Sequence, residues 1–434
     1  MRRRALALLL AAAGACTRQS HDLVIANVHV VDVIGGEVLP NRTVTVDSGT
    51  ITSVLADARR LNGRTLLDAQ GGFLIPGLWD MHAHMESSGE SWLQLYVANG
   101  VTGIRDMGSG LDLILGMREA TAAGRIVGPR IFAAGPILDD APGDWPFRIR
   151  VKTAEEGRAA VRKLKGRGVD LIKVHDHTPP AAYFAIAEEA RAQGLPLAGH
   201  VPTGITFQQA IAAGQKDFEH LSNLMLWFPC SGGSEFRPAG CKPFFDSLAT
   251  AGVWQTPTLG SWSELATIGT SASELSPDEL AYAPQSMRDL WSMNQRLFVT
   301  PKVIRELREG ARVGARVTNA LSQAGVGILA GCDALIAGFC VHDEVALMVQ
   351  GGMSPLAALQ TATINPARYF GLEKTSGSLA PGQRADLVLL EGNPLEDISN
   401  VRRIRDVVLA GRLFDRRALD SLLAQVRAEA ATSR

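Results

Sequence analysis

Apolar positions recur along this chain in two rhythms. Near the start, residues 23–33 and 44–55 are rich in Val, Ile and Leu, with Gly35-Gly36 as a turn signal between them. A similar β-rich pattern returns near the other end, in Asp386-Leu387-Val388-Leu389-Leu390 and Val407-Val408-Leu409-Ala410-Gly411-Arg412. Two such terminal pieces can pair into one small β-sandwich. Between them, short apolar runs alternate with amphipathic or Ala-rich stretches such as 153–167 and 181–193. That alternation predicts a parallel sheet with crossover helices. Eight candidate strands fall near 73–82, 101–106, 130–134, 171–175, 196–200, 217–220, 253–256 and 325–333. Eight strand–helix units fit an α/β fold of the TIM-like (β/α)8 barrel type. The gap from 258 to 324 predicts extra helices over the barrel mouth. The expected division is a targeting segment at 1–20, a sandwich from 21–73 and 379–415, a barrel over 74–378, and a C-terminal helix over 416–434.

Composition narrows the function classes. The chain has 434 residues, of which 46% are apolar, so a large core is available and global disorder is excluded. With 43 basic against 44 acidic residues there is no positive excess to bind nucleic acid. Arg2, Arg3 and Arg4 precede an apolar run at 5–15 that is too short to span a bilayer. This reads as an export signal. Ala13-Gly14-Ala15-Cys16 resembles the lipobox of bacterial lipoproteins, with Ala13 where Leu is usual. The expectation is a periplasmic or envelope protein with a lipid anchor at Cys16. An oxidising compartment permits disulfides. Cys230 and Cys241 bracket Ser231-Gly232-Gly233-Ser234 and are expected to bridge, whereas Cys332 and Cys340 fit either state. The cysteine spacing matches no zinc–thiolate site.

The candidate chemistry begins at His82-Ala83-His84. Residues two apart on a strand face one side, so both imidazoles can address one ion. His200 ends the fifth candidate strand, His220 the sixth and Asp333 the eighth. Catalytic groups of such barrels sit at the carboxyl ends of strands, so five potential ligands share one rim. Lys173 lies in the apolar strand Val169-Asp170-Leu171-Ile172-Lys173-Val174. A buried ammonium is costly and must find an anion, lose its proton, or become a carbamate by adding carbon dioxide. The bland alternative is a lysine snorkelling to the rim. Alternation from Lys173 aims His175 and His177 at the same side, where His175 can meet substrate or remain a rim residue. His342 can cap a helix or reach the cleft; His21 and His29 have no assigned role. Arg105 can meet a substrate carboxylate or form a buried ion pair with Asp106. Trp145 can wall the third-strand loop.

Gly77-Leu78-Trp79-Asp80-Met81-His82-Ala83-His84 resembles the first-strand signature of the amidohydrolase superfamily. Gly100-Val101-Thr102-Gly103-Ile104-Arg105-Asp106-Met107-Gly108, Phe218-Glu219-His220, Asn365-Pro366-Ala367-Arg368 and Gly382-Gln383-Arg384-Ala385-Asp386-Leu387-Val388 resemble its prolidase-like and imidazolonepropionase-like branch. The resemblance implies two divalent ions, most often zinc, at the barrel mouth. His82, His84 and Asp333 would hold the more buried ion, His200 and His220 the outer one, and carbamylated Lys173 would bridge them. It implies an enzyme that cleaves the amide bond of a small molecule, a dipeptide or an N-acyl amino acid, with Asp333 as proton shuttle. A cyclic amide or an ester would suit the same site. Mononuclear deaminases of the superfamily carry a glutamate three residues after the fifth-strand histidine, where this chain has Thr203. A homo-oligomer is expected, and a non-catalytic binding protein is the remaining alternative.

Overall fold

The protein is described by a computed structural model. Residues 20–56, 61–85, 89–143, 147–221, 236–267, 277–298 and 300–433 are described. The expected export signal with Cys16, Trp145, and Cys230 with its expected bridge to Cys241 lie outside the described residues.

The eight barrel strands are Leu78–Ala83, Val101–Asp106, Arg130–Ala133, Ile172–Val174, Leu197–Gly199, Gln215–Glu219, Trp254–Thr256 and Gly327–Ile328. Among the described residues, the ladders between neighbouring barrel strands are all parallel, as crossover helices require. Closure comes from single backbone bonds: Met81 N–H donates to Ala330 O (2.8 Å), Asp333 N–H to His82 O (2.7 Å), and Asp170 N–H to Ala133 O (2.8 Å). Two short strands, Ile137–Asp139 and Arg148–Arg150, are inserted after the third strand and pair in parallel with each other.

Local signals explain the crossover helices. Ala154–Arg167 starts at a reciprocal capping box of Thr153 and Glu156 and stops at left-handed Gly168; Phe207–Ala213 repeats the device with Thr206, Gln209 and Gly214. The long connection expected to be helical contains Leu259–Thr267, Pro277–Leu280, Gln285–Phe298 and Pro301–Gln323.

The chain ends build one hydrogen-bonded sheet of eight strands. Phe73–Pro76 pairs antiparallel with Leu387–Leu390, joining the N-terminal to the C-terminal half. Leu23, Ile25, Val44, Val46, Leu74, Leu387 and Val408 share its core. Among the described residues the first strand of this sheet is Ser20–Val31, and in it His21 Nδ1 donates to Asp47 at 2.8 Å. Arg416–Thr432 follows as a terminal helix.

Candidate metal centre

His82 lies within the first barrel strand and His84 just past its end. The Nε2 atoms of the two rings are 3.2 Å apart. Asp333 reaches between them, with Oδ1 4.0 Å from His82 Nε2 and 3.5 Å from His84 Nε2. His220 completes the cluster: its Nδ1 is 3.8 Å from Asp333 Oδ2. The ligand atoms of His82, His220 and Asp333 all lie within 4.8 Å of one another, close enough for one cation. His200 packs edge-on to His220, with ring centroids 4.8 Å apart.

Each imidazole is held by a partner on its Nδ1. His82 Nδ1 donates to Glu219 Oε2 (2.6 Å), His84 Nδ1 to Gly108 O (2.9 Å) and His200 Nδ1 to Asp176 Oδ1 (3.0 Å). His220 Nδ1 shares a hydrogen bond with Thr258 Oγ1 at 2.8 Å. An Nδ1–H donor fixes the tautomer that leaves Nε2 with its lone pair, which is how metal histidines are oriented. Burial, reinforced by Lys173 and the neighbouring histidines, holds His82 well below the usual imidazole range; burial and the same cluster do so for His220. Neutral imidazoles are the form that binds a cation. Burial also pushes Asp80 up to about 7, although it accepts N–H bonds from His82 and Cys332 (both 3.0 Å).

Lys173 is 1% exposed in the middle of the fourth strand. Among the described residues it forms no ion pair. Burial lowers its pKa, working against Glu219 and Asp333. Gly199, opposite Val174 on the fifth strand, has φ 126°, and a Cβ there would stand 2.2 Å from Val174 O and 3.1 Å from Lys173 Cδ. The absent side chain leaves the lysine its path.

Arg105 departs from the expected substrate contact. It is fully buried, donating to Asp217, to Glu219 Oε1 (2.9 Å), to Thr256 Oγ1 (3.0 Å) and to Met81 O (2.6 Å). Its partners are not Asp106, which instead accepts from Ser109 Oγ and Met85 N–H. Arg105 thus neutralises the carboxylate that orients His82. Replacing Arg105 by Met should leave Asp217 and Glu219 buried without a counter-charge and cost about 3–5 kcal/mol. Urea unfolding of the variant measures it, and a loss below about 1 kcal/mol would contradict the assignment.

The fourth strand ends at Val174, yet His175 and His177 still come together, their ligand atoms lying with that of Asp139 within 4.8 Å of one another. His175 packs against His200 in a tilted arrangement with centroids 4.0 Å apart, so it stands at the mouth beside a candidate ligand. His177 is exposed, and its N–H donates to Asp139 Oδ1 at 2.9 Å. His342 does not reach the cleft: it is buried and bonds Asn99 O at 2.9 Å. Sequence reasoning missed Glu219, Asp176 and Thr258 as orienting groups. For Glu219 a signal existed, since Asp217 and Glu219 are two apart on one strand and so share a face.

A parallel barrel whose histidines and aspartate converge at the carboxyl ends of its strands defines a class of metal-site barrel proteins. The chain belongs to the amidohydrolase family, whose model matches residues 73–414. It is similar to adenine deaminase of Chelativorans sp. (strain BNC1), 27% identical over 394 residues that cover 86% of this chain and 55% of that protein. The chain therefore spans about half the length of that relative. It is also similar to ochratoxinase of Aspergillus niger, 26% identical over 408 residues that cover 79% of this chain and 75% of that protein. In structure it resembles bottromycin amidohydrolase, with TM-score 0.75 and 25% identity over 94% of this chain and 91% of that one.

Proposed function

We propose that the protein is an exported, binuclear metal-dependent hydrolase that cleaves the amide bond of a dipeptide or N-acyl amino acid. The observation that carries this reading is the convergence of His82, His84, His220 and Asp333, with aimed imidazoles, around a buried lysine that has no ion pair among the described residues. The donor set suits zinc. His82, His84 and Asp333 would hold the inner ion, and His200 and His220 the outer one. Lys173 would lie between them as a carbamate, since a desolvated, neutral amine is the form that adds carbon dioxide with loss of one proton. Bound there, the ions would activate water and polarise the scissile carbonyl.

The chain's own residues supply the rest. Asp333, with a side chain 36% exposed, is the ligand most open to the cleft. Its carboxylate accepts a proton from the attacking water and returns it to the leaving nitrogen, which a poor amine leaving group requires. His175 orients the substrate carbonyl beside His200. Export, with a lipid anchor at Cys16, is part of the proposal. The same site would accept a cyclic amide or an ester.

The adenine deaminase relative favours one other outcome, release of ammonia from adenine. Thr203 argues against a mononuclear version of that chemistry, because a threonine cannot shuttle the proton. The test is a panel of dipeptides, N-acyl amino acids and adenine, with metal analysis of the gently purified full chain. The expected result is amide cleavage and close to two divalent ions per chain. A stoichiometry that stays at one under zinc and bicarbonate, or deamination without amide cleavage, overturns the proposal.

A further inference from the structure

Cys332 and Cys340 are joined by a disulfide across a sequence separation of 8, with Cα atoms 5.8 Å apart. Both are buried, at 1% and 2% exposure. Cys332 immediately precedes Asp333, and Cys340 opens the helix Cys340–Gln350. Asp333 itself has φ 50°, a left-handed conformation that is unfavourable for a residue with a Cβ. Such backbone persists only where its surroundings hold it.

Those surroundings can be named. Cys332 N–H donates to Asp80 Oδ1 (3.0 Å), Asp333 N–H to His82 O (2.7 Å), and Leu335 N–H to Glu264 Oε2 (3.0 Å). Farther along, Gly338 has φ 90° and packs so closely on the helix Trp92–Ala98 that a Cβ would stand 2.8 Å from Leu95 O. The bridge turns this pinned loop into a closed ring. Without it, the loop around the left-handed aspartate keeps one backbone hydrogen bond at Asp333 itself and one each at Cys332 and Leu335, but loses its covalent closure.

We infer that the Cys332–Cys340 bridge is a positioning element for Asp333, keeping its carboxylate between His82, His84 and His220. The metal-binding part of this inference stands on the ligand geometry; the catalytic part rests on the hydrolase reading above. A structural disulfide of this kind belongs in an oxidising compartment, which agrees with export.

The experiment uses the full chain carrying Cys332→Ala with Cys340→Ala, and a second variant, Cys332→Val with Cys340→Ala, that keeps more of the buried volume. Zinc affinity is read by competition with a chromogenic chelator, and kcat and KM on the best substrate of the panel. Misplacing a ligand should weaken one of the two zinc sites by about tenfold to a hundredfold and leave the other unchanged. It should also lower kcat by about tenfold while KM moves by less than about twofold. Wild-type zinc affinity and kcat in both variants, with only a lower melting temperature, would make the bridge a general staple and overturn the inference. A wild-type chain that cleaves no amide would remove the proposed function, while the zinc titration would still decide the role of the bridge.

Discussion

Lys173→Ala should lower turnover by at least about a hundredfold and reduce the metal content from two ions toward one. Three observations motivate this. Lys173 is 1% exposed, it has no ion pair among the described residues, and burial lowers its pKa. A group in that state is either a neutral amine tolerated by the core or the precursor of an anion that the neighbouring cation site requires. The two readings separate in the variant. If Lys173 only packs its aliphatic stem, Ala leaves a cavity and reduces stability, but turnover per folded molecule stays near normal. If it becomes a carbamate, the variant lacks a carboxylate between the ions, and acetate or propionate supplied with zinc should restore part of the activity. Rescue by a short acid also shows that the variant is folded. Near-normal turnover without added acid would refute the carbamate.

Asp333→Asn should lower kcat by about two to four orders of magnitude, the usual contribution of a positioned proton shuttle. Asn keeps the shape of Asp and can still offer one oxygen, so metal content should fall less than activity. It cannot accept and return a proton, and the penalty should therefore grow as the leaving amine becomes more basic. An activated amide with an acidic leaving group should suffer least. Equal losses across such a series would mean that Asp333 acts only as a ligand. The placement of Asp333 supports the shuttle: its side chain is 36% exposed, whereas that of His82 is 1% exposed. The proposed proton carrier is thus the more open of the two side chains, and His82 is enclosed in the core.

Much of this candidate site is legible in the sequence alone. Strand alternation and the placing of polar residues at strand ends identified His82, His84, His200, His220, Lys173 and Asp333 as potential partners. The eight-unit rhythm placed their strands in one barrel. The exception is Arg105, whose place on the second strand is legible but whose partners, Asp217 and Glu219, stand across the barrel. His175 and His177 come together with Asp139, their ligand atoms within 4.8 Å of one another, although the fourth strand stops at Val174.

What the chain determined by itself is which residues face inward and at which end of the barrel they lie, because both follow from periodicity along a short stretch. Which inward residues touch was decided by closure of the barrel. His82 meets Glu219 across 137 residues, and Arg105 meets Asp217 and Glu219 across 112 and 114. The same closure made Arg105 a buried counter-charge, while the pairing of neighbouring strands brought Asp176 to His200 and Thr258 to His220. The Cys332–Cys340 bridge depended on how the loop after the eighth strand folds back on the barrel. Periodicity carries no information on such pairings, because each joins residues that lie on different elements.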